Sequence, residues 1–374
     1  MLGDLAPGLR PVARRILEQQ STQKTTYRLK KLLYSVLKPL IRAGFFCYYR
    51  EVRMIGMERV PRDRPVVFLP NHHNALLDPL LIAAYIRGRR PYFLTRSDVF
   101  QGGLLEWFFD MLRMIPIYRL RDGRDTLHRN EEIFERCADL LAANGDLLLF
   151  PEANHNLKRQ VRPLSKGFTR IVLHTLKKYP DTDLHLVPVG FNYQRAAGFP
   201  DRVACYFGEA LPAEAFLKAG DEQRVSREMK SAVSSRLKQL TTHIPPECDY
   251  EATLRELEAD SPDWLLPGPI NDRLSGHAVE IPTHSNREDG VHKIWDFLFR
   301  ALNLPAWLLW RWIAANKVWE PEFMSTFRYL FALLAFPLYL GLLAATFALT
   351  GAPPQAYWCL PGLFLFNVLY VKFR

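Results

Sequence analysis

Cysteine is scarce in this chain of 374 residues, and its five copies are scattered. None of them forms a CxxC pair, which argues against a zinc site or a disulfide framework and favours a reducing compartment. An uncharged leader is also missing, because residues 1–20 carry too many charges for a signal peptide. Internal repeats and low-complexity tracts are absent as well, so the sequence does not indicate a repeat architecture.

Acidic residues are fewer than basic ones, 39 against 49, which gives a net charge of +10 and a pI of about 9.4. This surplus predicts an acidic partner, such as nucleic acid, anionic lipid or a phosphorylated substrate. The basic residues flank apolar helices and aromatics without forming a known nucleic-acid module. We therefore expect an anionic membrane and no nucleic acid. The length allows one large domain or two ordinary ones.

Charge is missing from two long stretches near the C-terminus. Residues 329–350 form 22 uncharged positions, and residues 351–371 add 21 more, interrupted by prolines. An apolar helix of about 20 residues spans a bilayer core. Arg328, Lys372 and Arg374 flank the pair, so both ends and the main domain are expected on the cytoplasmic side. The sequence thus predicts a C-terminal transmembrane helical hairpin. The alternative is a buried helical hairpin of a soluble protein.

Composition divides the rest of the chain. Basic and apolar residues recur at helical spacing over residues 27–49, which predicts an amphipathic helix on anionic lipid or, alternatively, a helix packed on the domain. Five tryptophans between residues 294 and 319 favour the headgroup region. We expect a basic membrane-surface region (1–50), a main domain (51–243), a linker (244–290), a Trp-rich interfacial segment (291–328) and two transmembrane helices (329–374).

Strand-like apolar runs alternate with helical patterns between residues 55 and 210, which predicts one α/β domain. The expected strands are 52–60, 65–69, 92–95, 115–121, 146–150, 184–189 and 203–208. The expected helices are 80–86, 104–114, 130–143, 167–174 and a helical region over 211–243. Polar clusters recur directly after strands, so we expect them to converge on one edge of the sheet.

The stretch PNHHNALLDP, residues 70–79, lies where a predicted strand ends and a predicted helix begins. An imidazole side chain in general titrates near neutral pH and can take a proton from a hydroxyl, which makes His72 and His73 candidate bases. The carboxylate of Asp78 would fix the histidine tautomer and stabilise the imidazolium. The alternative is that an asparagine of this stretch caps the helix and both histidines are surface residues.

A second polar stretch follows the predicted strand at 146–150, and a basic residue follows the strand that begins at residue 115. Together they offer an acidic residue, a histidine and four basic residues as candidates for substrate binding: Glu152, His155, Arg119, Lys158, Arg159 and Arg162. Guanidinium and ammonium groups hold an anionic acceptor well. The alternatives are a solvated charged face and, for the acidic residue, a cap of the turn.

Four short blocks resemble the phospholipid/glycerol acyltransferase family, which includes the glycerol-3-phosphate and lysophosphatidate acyltransferases. The blocks are NHHNALLDP (71–79), IPIYR (115–119), FPEANH (150–155) and VPV (187–189). The resemblance covers roughly residues 50–210 and implies a glycerol-3-phosphate acyltransferase-like mixed sheet flanked by helices. It further implies transfer of a fatty acyl group from acyl-CoA or acyl carrier protein to a hydroxyl of a glycerol-phosphate or lysophospholipid. No metal, cofactor or covalent acyl-enzyme is implied.

The histidine block departs from the family's usual His-x4-Asp spacing. His73 fits that spacing to Asp78, whereas His72 matches the family's Asn-His pair and gives His-x5-Asp. We favour His72 as the general base, with His73 as the alternative. The chemistry of the residues agrees with the resemblance, because a thioester is already activated. The enzyme needs only to deprotonate a hydroxyl and hold two substrates together.

The third block, usually FPEGTR in the family, reads FPEANH here. The missing arginine puts phosphate binding at that point in doubt, with Lys158 or Arg159 as substitutes. We predict a membrane-bound O-acyltransferase of phospholipid biosynthesis, in the bacterial inner membrane or else the endoplasmic reticulum, with a lysophospholipid preferred as acceptor. The alternatives are a transacylase, an acyltransferase acting on a non-phosphate lipid, a metal-dependent phosphohydrolase and a non-catalytic membrane scaffold.

Overall fold

The computed structural model describes residues 32–97, 112–118, 126–284 and 290–374. Its described strands are β1 (Tyr49–Ile55), β2 (Val66–Pro70), β3 (Tyr92–Arg96), β4 (Met114–Ile117), β5 (Asp146–Leu148), β6 (His185–Tyr193), β7 (Asp201–Phe207) and β8 (Leu211–Pro212). They form one sheet in the order β1-β7-β6-β2-β5-β3-β4, with β8 beside β6. The pair β6–β7 is antiparallel, whereas β6, β2, β5, β3 and β4 run parallel.

Helices cover both faces of this sheet. The described helices are α1 (32–48), α2 (Leu77–Tyr85), α3 (Thr126–Ala142), α4 (Gly167–Lys178), α5 (Glu222–Leu240), α6 (Tyr250–Ala259), α7 (Pro267–Leu274), α8 (Gly290–Leu302), α9 (Leu304–Lys317), α10 (Met324–Leu349) and α11 (Cys359–Phe373). The predicted mixed α/β sheet flanked by helices is confirmed.

The central strand β2 shows why its sequence is continuously apolar. Phe68 faces a cluster that includes α1 and α2, whereas Val67 and Leu69 face a cluster that includes α3, α4 and α5. Successive side chains of a strand point to opposite faces, so a strand covered on both sides needs apolar residues at every position. Every residue of β2 is buried as a result.

Helix α1 divides its apolar residues between two environments. Ile41 and Phe45 are buried in the core beside α2, whereas Leu32, Val36 and Leu40 are more than half exposed. The helix therefore packs one side on the domain and leaves a second apolar side uncovered. The part of the predicted helix before residue 32 lies outside the described residues.

Two predicted elements need comment. The predicted strand over residues 52–60 ends at Ile55, because Gly56 adopts a φ of 80° and turns the chain into a short 3-10 helix. A side chain at Gly56 would meet the carbonyl oxygen of Phe207 at 2.4 Å, so glycine is required there. Most of the predicted helix 104–114 lies outside the described residues, and its last residue, Met114, begins β4.

Residues 244–284, expected as part of a linker, contain α6 and α7 around a small core. That core includes Ile244, Leu257 and Trp264. Asp249 caps α6 by accepting hydrogen bonds from two backbone N–H groups of its first turn. The guanidinium of Arg202 in β7 pairs with Asp263 at 3.2 Å, which ties this segment to the sheet.

Near the C-terminus, two helical segments are long and apolar enough to cross a membrane: Pro321–Leu349, of 29 residues, and Pro354–Phe373, of 20 residues. The turn between them contains Gly351 with a φ of 65°. The first turns of α10 are buried against the domain through Ser325, Thr326 and Tyr329, whereas its residues after Tyr329 are exposed or partly exposed. The Tyr329 ring stacks on Phe45 of α1 with centroids 4.8 Å apart.

Candidate active site

Three neighbouring parallel strands bring the predicted polar clusters to one edge of the sheet. The histidine loop, residues 71–78, follows β2. The stretch with Glu152 and His155 follows β5, and Tyr193 ends β6. Because β6, β2 and β5 are adjacent and parallel, their carboxyl ends open on the same side. The sheet order therefore produces the expected convergence of these clusters at one edge.

Asn71 fixes the first residue of the histidine loop to β6. Its side-chain amide donates to the carbonyl of Phe191 at 3.2 Å, and its amide oxygen accepts the N–H of Phe191 at 2.7 Å. Its backbone N–H also donates to the carbonyl of Val189. The loop therefore leaves the sheet at a defined position, which sets the direction of the next two side chains.

The buried carboxylate of Asp78 organises the histidine loop. Its Oδ2 lies 2.9 Å from Nδ1 of His72 and accepts the backbone N–H groups of His73 and Asn74 at 2.9 and 2.8 Å. Its Oδ1 accepts the hydroxyl of Tyr193 at 2.6 Å. Burial raises the pKa of Tyr193 well above its usual range, and the Asp78 charge adds to this shift. The hydroxyl therefore remains a donor.

His72 has the geometry of a general base. Its Nδ1 faces Asp78, so Nε2 carries the lone pair, and no described residue hydrogen-bonds to Nε2. The ring stacks on Phe150, with centroids 3.6 Å apart and planes 14° from parallel. Its side chain is 11% exposed. The imidazole is thus fixed on one face and one nitrogen, with its second nitrogen available to a substrate hydroxyl.

His73 lies in a different environment. Its Nδ1 donates to the backbone carbonyl of Asn156 at 2.8 Å. This carbonyl is neutral, so it does not compensate an imidazolium charge as a carboxylate would. Burial lowers the pKa of His73, and the nearby Arg159 charge lowers it further, although Asp78 opposes the shift. These surroundings favour the neutral ring of His73 as a structural link between the histidine loop and residue 156.

Glu152 orders the loop after β5. Its Oε1 accepts the backbone N–H of Arg162 at 2.9 Å, and its Oε2 accepts the guanidinium of Arg162 at 3.1 Å. That guanidinium also donates to the carbonyl of Asn154. Ala153 adopts a φ of 65°, a conformation that glycine accepts more readily. Both the carboxylate and the arginine thus have protein partners within this loop.

The structure describes two of the three remaining basic candidates, Arg159 and Lys158. Arg159 lies on the ring of Trp264, at 3.7 Å from its centroid, and donates to the carbonyls of Tyr193 and Gln194. Burial lowers the pKa of Arg159 to about 10. Lys158 is exposed, with Nζ 4.7 Å from the ring centroid of Tyr250. Arg119 lies outside the described residues.

His155 connects the histidine loop with a distant part of the chain. Its ring meets the His72 ring edge-on at 5.7 Å between centroids. Its Nε2 lies 3.0 Å from Oε2 of Glu320, and the ring of Phe323 packs against it at 4.9 Å. The segment that precedes α10 therefore forms one side of the site.

Comparison with known proteins agrees with this geometry. Residues 51–192 match the family model described as Acyltransferase. This domain belongs to the acyltransferase family. The histidine loop, Glu152 and the carboxyl ends of β2, β5 and β6 all lie within or at the limits of the matched residues of the acyltransferase domain.

Curated relatives point to the same family. The chain is 23% identical over 341 residues to glycerol-3-phosphate O-acyltransferase 1 of Saccharomyces cerevisiae, covering 67% of this chain and 45% of the yeast protein. It is 30% identical over 121 residues to a 1-acyl-sn-glycerol-3-phosphate acyltransferase of Chlamydomonas reinhardtii, covering 32% of this chain and 34% of the algal protein. The chain thus spans less than half the length of these curated relatives.

A solved structure resembles this chain more distantly. The crystal structure of the 1-acyl-sn-glycerophosphate (LPA) acyltransferase PlsC from Thermotoga maritima superposes with a TM-score of 0.41 and 16% identity. The match covers 57% of this chain and 82% of the Thermotoga protein.

Four residues of the site were not predicted as candidates from the sequence. Tyr193 comes four positions after the fourth block, on the strand beside β2, and that position was the available signal. Phe150 was visible as the last apolar residue of a strand and as the first residue of the third block, without a role of its own. Glu320 and Phe323 are about 165 residues from His155 in sequence and gave no local signal.

Proposed function

We propose that the chain is a membrane-bound O-acyltransferase. It would move a fatty acyl group from acyl-CoA or acyl carrier protein to a hydroxyl of a lysophospholipid or glycerol-3-phosphate. The family of the domain supports this reaction class, and the names of the relatives support the acceptor class. The observation that carries the proposed mechanism is the 2.9 Å contact between Nδ1 of His72 and Oδ2 of Asp78.

In this mechanism Nε2 of His72 removes the proton from the acceptor hydroxyl as its oxygen attacks the thioester carbonyl carbon. The imidazolium that forms is stabilised by Asp78 on its other nitrogen. The tetrahedral adduct then collapses, the C–S bond breaks, and the departing thiolate takes the proton from His72. The proton balance closes within one turnover, so the mechanism requires no covalent acyl-enzyme.

His73 does not serve as the base in this proposal. Its Nδ1 is held by a neutral carbonyl, and its burial opposes the positive charge that a base must accept. We assign it a positioning role, in which its ring links the histidine loop to the loop after β5. The matched pair of neighbouring histidines therefore offers an internal test of the mechanism.

We also propose that α10 and α11 cross the membrane, with the acyltransferase domain on the cytoplasmic side of a bacterial inner membrane or of the endoplasmic reticulum. Arg328, near the N-terminal end of α10, donates to the carbonyls of Ala197 and Gly198. Lys372, at the end of α11, donates to the carbonyls of Tyr49 and Arg50. Both basic ends thus contact the domain. The positive-inside rule places basic flanks, and therefore the domain, on the cytoplasmic side.

A narrower acceptor preference is supported by the charges around His155. Arg159 and Arg162 are bonded to protein groups, and the Glu320 carboxylate faces the site beside His155. A carboxylate there disfavours a phosphate monoester, which carries up to two negative charges. A zwitterionic lysophospholipid, or the non-phosphate lipid of the alternative reading, suits this arrangement better.

The deciding experiment is acyl transfer by the purified full-length chain in detergent. Labelled acyl-CoA and acyl carrier protein are offered as donors. Glycerol-3-phosphate, lysophosphatidate, zwitterionic lysolipids and a neutral acylglycerol are offered as acceptors. We expect transfer by the wild-type chain, loss of at least a hundredfold in His72→Ala, and a much smaller loss in His73→Ala.

Two results would overturn the proposal. Equal activity of His72→Ala and the wild type would remove His72 from the mechanism. Activity abolished by EDTA and restored by a divalent ion would favour the metal-dependent phosphohydrolase. Circular dichroism of each variant separates loss of the base from loss of the fold.

A further inference from the structure

Helices α8 and α9 have lengths that do not suit a membrane crossing. They contain 13 and 14 residues, which corresponds to about 20 Å each, whereas a bilayer core is about 30 Å thick. They are joined by an abrupt break, the elbow at residues 302–305, where Asn303 precedes a proline in the first turn of α9. The two helices contact each other and both proposed spans.

Helix α9 runs alongside α10 in the opposite direction. At the elbow, the hydroxyl of Tyr339 donates to the carbonyl of Leu302 at 3.0 Å. Further along α9, the ring of Trp310 packs on Phe331, with centroids 5.6 Å apart. Eight residues separate the two contacts on each side, from Leu302 to Trp310 and from Phe331 to Tyr339. The elbow therefore lies about 15 Å along α10 from Tyr329, which is anchored on the domain.

Helix α8 meets α11 at the same level. Phe299 stacks on Tyr370 at 4.0 Å between centroids. At the elbow, the side-chain amides of Asn303 and Asn367 exchange two hydrogen bonds, at 2.8 and 3.0 Å. Asn303 is buried in the angle between the helices. The elbow thus touches both proposed spans, through Tyr339 on one and Asn367 on the other.

Several polar groups of the elbow have protein partners. The carbonyl of Phe299 accepts the backbone N–H and the side-chain amide of Asn303. The carbonyl of Leu302 accepts Tyr339, and that of Asn303 accepts the N–H of Trp307. Broken helices at membrane depth need this internal satisfaction, because lipid offers no hydrogen bonds. A break lying in water would not need a tyrosine and an asparagine from two other helices.

The exposed surface of both helices is mainly apolar, and it also carries the cations Lys293, Arg300, Arg311 and Lys317. The large exposed side chains include Ile294, Phe297 and Leu298 on α8 and Leu308, Leu309 and Trp312 on α9. These faces continue the exposed apolar surface of α10 and α11. Soluble proteins rarely leave such a large contiguous apolar patch uncovered. Continuity with two proposed spans identifies acyl chains as the material that covers it.

Arg300, close to the elbow, fits this environment through its direction. Helical side chains lean toward the N-terminus of their helix, which for α8 is the end nearest the domain. The Arg300 guanidinium lies 5.9 Å from the ring centroid of Trp307 on α9, and Asp296, one turn nearer that end, pairs with Arg374 at the end of α11. From this direction of the side chain we expect the guanidinium to reach toward the headgroups, as arginines within lipid do.

We propose that α8 and α9 form a re-entrant hairpin that enters the leaflet on the side of the acyltransferase domain, turns among its acyl chains and returns to the same side. This goes beyond the surface-lying segment that the tryptophans alone predict. It rests on the proposed assignment of α10 and α11 as spans. The returning end leads through Trp319 directly to Glu320 beside His155, so the site opens at the surface of the same leaflet.

Cysteine accessibility in sealed membrane vesicles of both orientations tests this hairpin. In the full chain, Cys47, Cys248 and Cys359 are replaced by alanine, whereas Cys137 and Cys205, which are buried, stay as reporters of unfolding. Single cysteines are then introduced as Val291→Cys, Leu304→Cys, Trp319→Cys and Gln355→Cys. A variant that keeps the exposed Cys248 marks the domain side. The probe is a membrane-impermeant maleimide.

We expect Val291→Cys and Trp319→Cys to react only from the side on which Cys248 reacts. Gln355→Cys, in the turn between the spans, should react only from the opposite side. Leu304→Cys, at the elbow, should react from neither side and become reactive in detergent. The background chain, with its two buried cysteines, should stay unlabelled in every sample if the fold is intact.

Each other pattern has a separate meaning. Reaction of Leu304→Cys from the domain side would overturn the proposal in favour of helices lying on the surface, and reaction from the opposite side would show that they cross. Reaction of Gln355→Cys from the domain side would overturn the spans, while protection of Leu304→Cys would still support an embedded hairpin. The proposed spans and the hairpin are thus tested by different positions.

The asparagine pair gives a second test. Asn367→Leu removes the donor to Oδ1 of Asn303, so the elbow should move toward water and Leu304→Cys should react from the domain side. Asn316→Leu is the matched control, because Asn316 is exposed and bonds only within α9 among the described residues. Unchanged protection in Asn367→Leu would contradict the role of the pair in holding the elbow at depth.

Discussion

The hydroxyl of Thr326 lies 3.0 Å from the side-chain oxygen of Asn74, to which it donates, and it accepts the backbone N–H of Leu76 at 3.1 Å. Thr326 belongs to the first turn of α10, whereas its two partners belong to the histidine loop. In the next position, the hydroxyl of Ser325 donates to the carbonyl of Ala196. The start of the proposed membrane span and the candidate active site therefore form one hydrogen-bonded unit.

We predict that Thr326→Val lowers kcat about tenfold and leaves the KM of the acyl donor nearly unchanged. Valine has almost the same shape but neither donates to Asn74 nor accepts from Leu76. Each lost hydrogen bond costs about 1 kcal/mol, and the buried N–H is left without a partner. The loop that holds His72 becomes less well oriented, which affects turnover more than substrate binding. Steady-state kinetics in detergent micelles measures both parameters.

Two further variants make this test specific. Thr326→Ser keeps the hydroxyl and should restore most of the activity. Thr346→Val, in the same helix, removes a hydroxyl that bonds only to its own helix among the described residues and should leave kcat unchanged. Equal losses in Thr326→Val and Thr346→Val would show a general effect on α10 and not a link to the histidine loop.

For Asp78→Asn we predict a fall in kcat of about 10²–10⁴ with little change in the apparent affinity for the acceptor. The amide cannot accept from His72 and both loop N–H groups with one oxygen while stabilising an imidazolium. Tyr193→Phe is the graded control, because it removes one donor to Asp78 and leaves the contact to His72 in place. Its loss should stay below about tenfold. A parallel rise in KM for Asp78→Asn would indicate a collapsed site.

The sequence was sufficient for the parts of the site that depend on local pattern. Apolar runs located β2, β5 and β6, and polar residues after them could be expected at one edge because parallel neighbours share their carboxyl ends. His72, Asp78 and Glu152 were reached in this way, and the structure places all three at that edge. Their chemical roles remain proposals.

Partners that are far apart in the chain were not predictable in this way. Arg159 looked like a free cation, but its guanidinium lies on Trp264, more than 100 residues later. Thr326 bonds to Asn74 across 252 positions. The helix and strand periodicities of the sequence do not indicate either partner, because these contacts form only after α6, α7 and α10 have packed on the domain.

Backbone strain at Ala153 leads to a stability prediction. Its φ of 65° costs an L-residue about 1–2 kcal/mol, whereas glycine adds about 0.4–1 kcal/mol of unfolded-state entropy. We expect Ala153→Gly to raise the free energy of unfolding by about 0.5–1 kcal/mol. Thermal unfolding of the detergent-solubilised protein followed by circular dichroism measures the change.

Ala142 is the matched position for that experiment. It is exposed at the end of α3 in helical geometry, where glycine costs about 0.5–1 kcal/mol. Ala142→Gly should therefore lower the unfolding temperature, while Ala153→Gly raises it. Destabilisation by both substitutions would mean that residue 153 is not strained.

Glu320→Gln tests which acceptor the site prefers. The Glu320 carboxylate beside His155 should repel a phosphate monoester more than a zwitterionic head, so its neutralisation should lower the KM for lysophosphatidate about fivefold. That factor corresponds to about 1 kcal/mol, the upper range for an exposed charge pair, and Glu320 is 64% exposed at its side chain. The KM for a zwitterionic lysolipid should change little. Because the effect is electrostatic, it should weaken as salt is raised.

Glu322→Gln is the control. It removes a nearby carboxylate whose residue, among the described contacts, meets the histidine loop through its backbone carbonyl, and it should leave the acceptor preference unaltered. An equal change for both acceptors in Glu320→Gln would show that the residue shapes the site without selecting by charge.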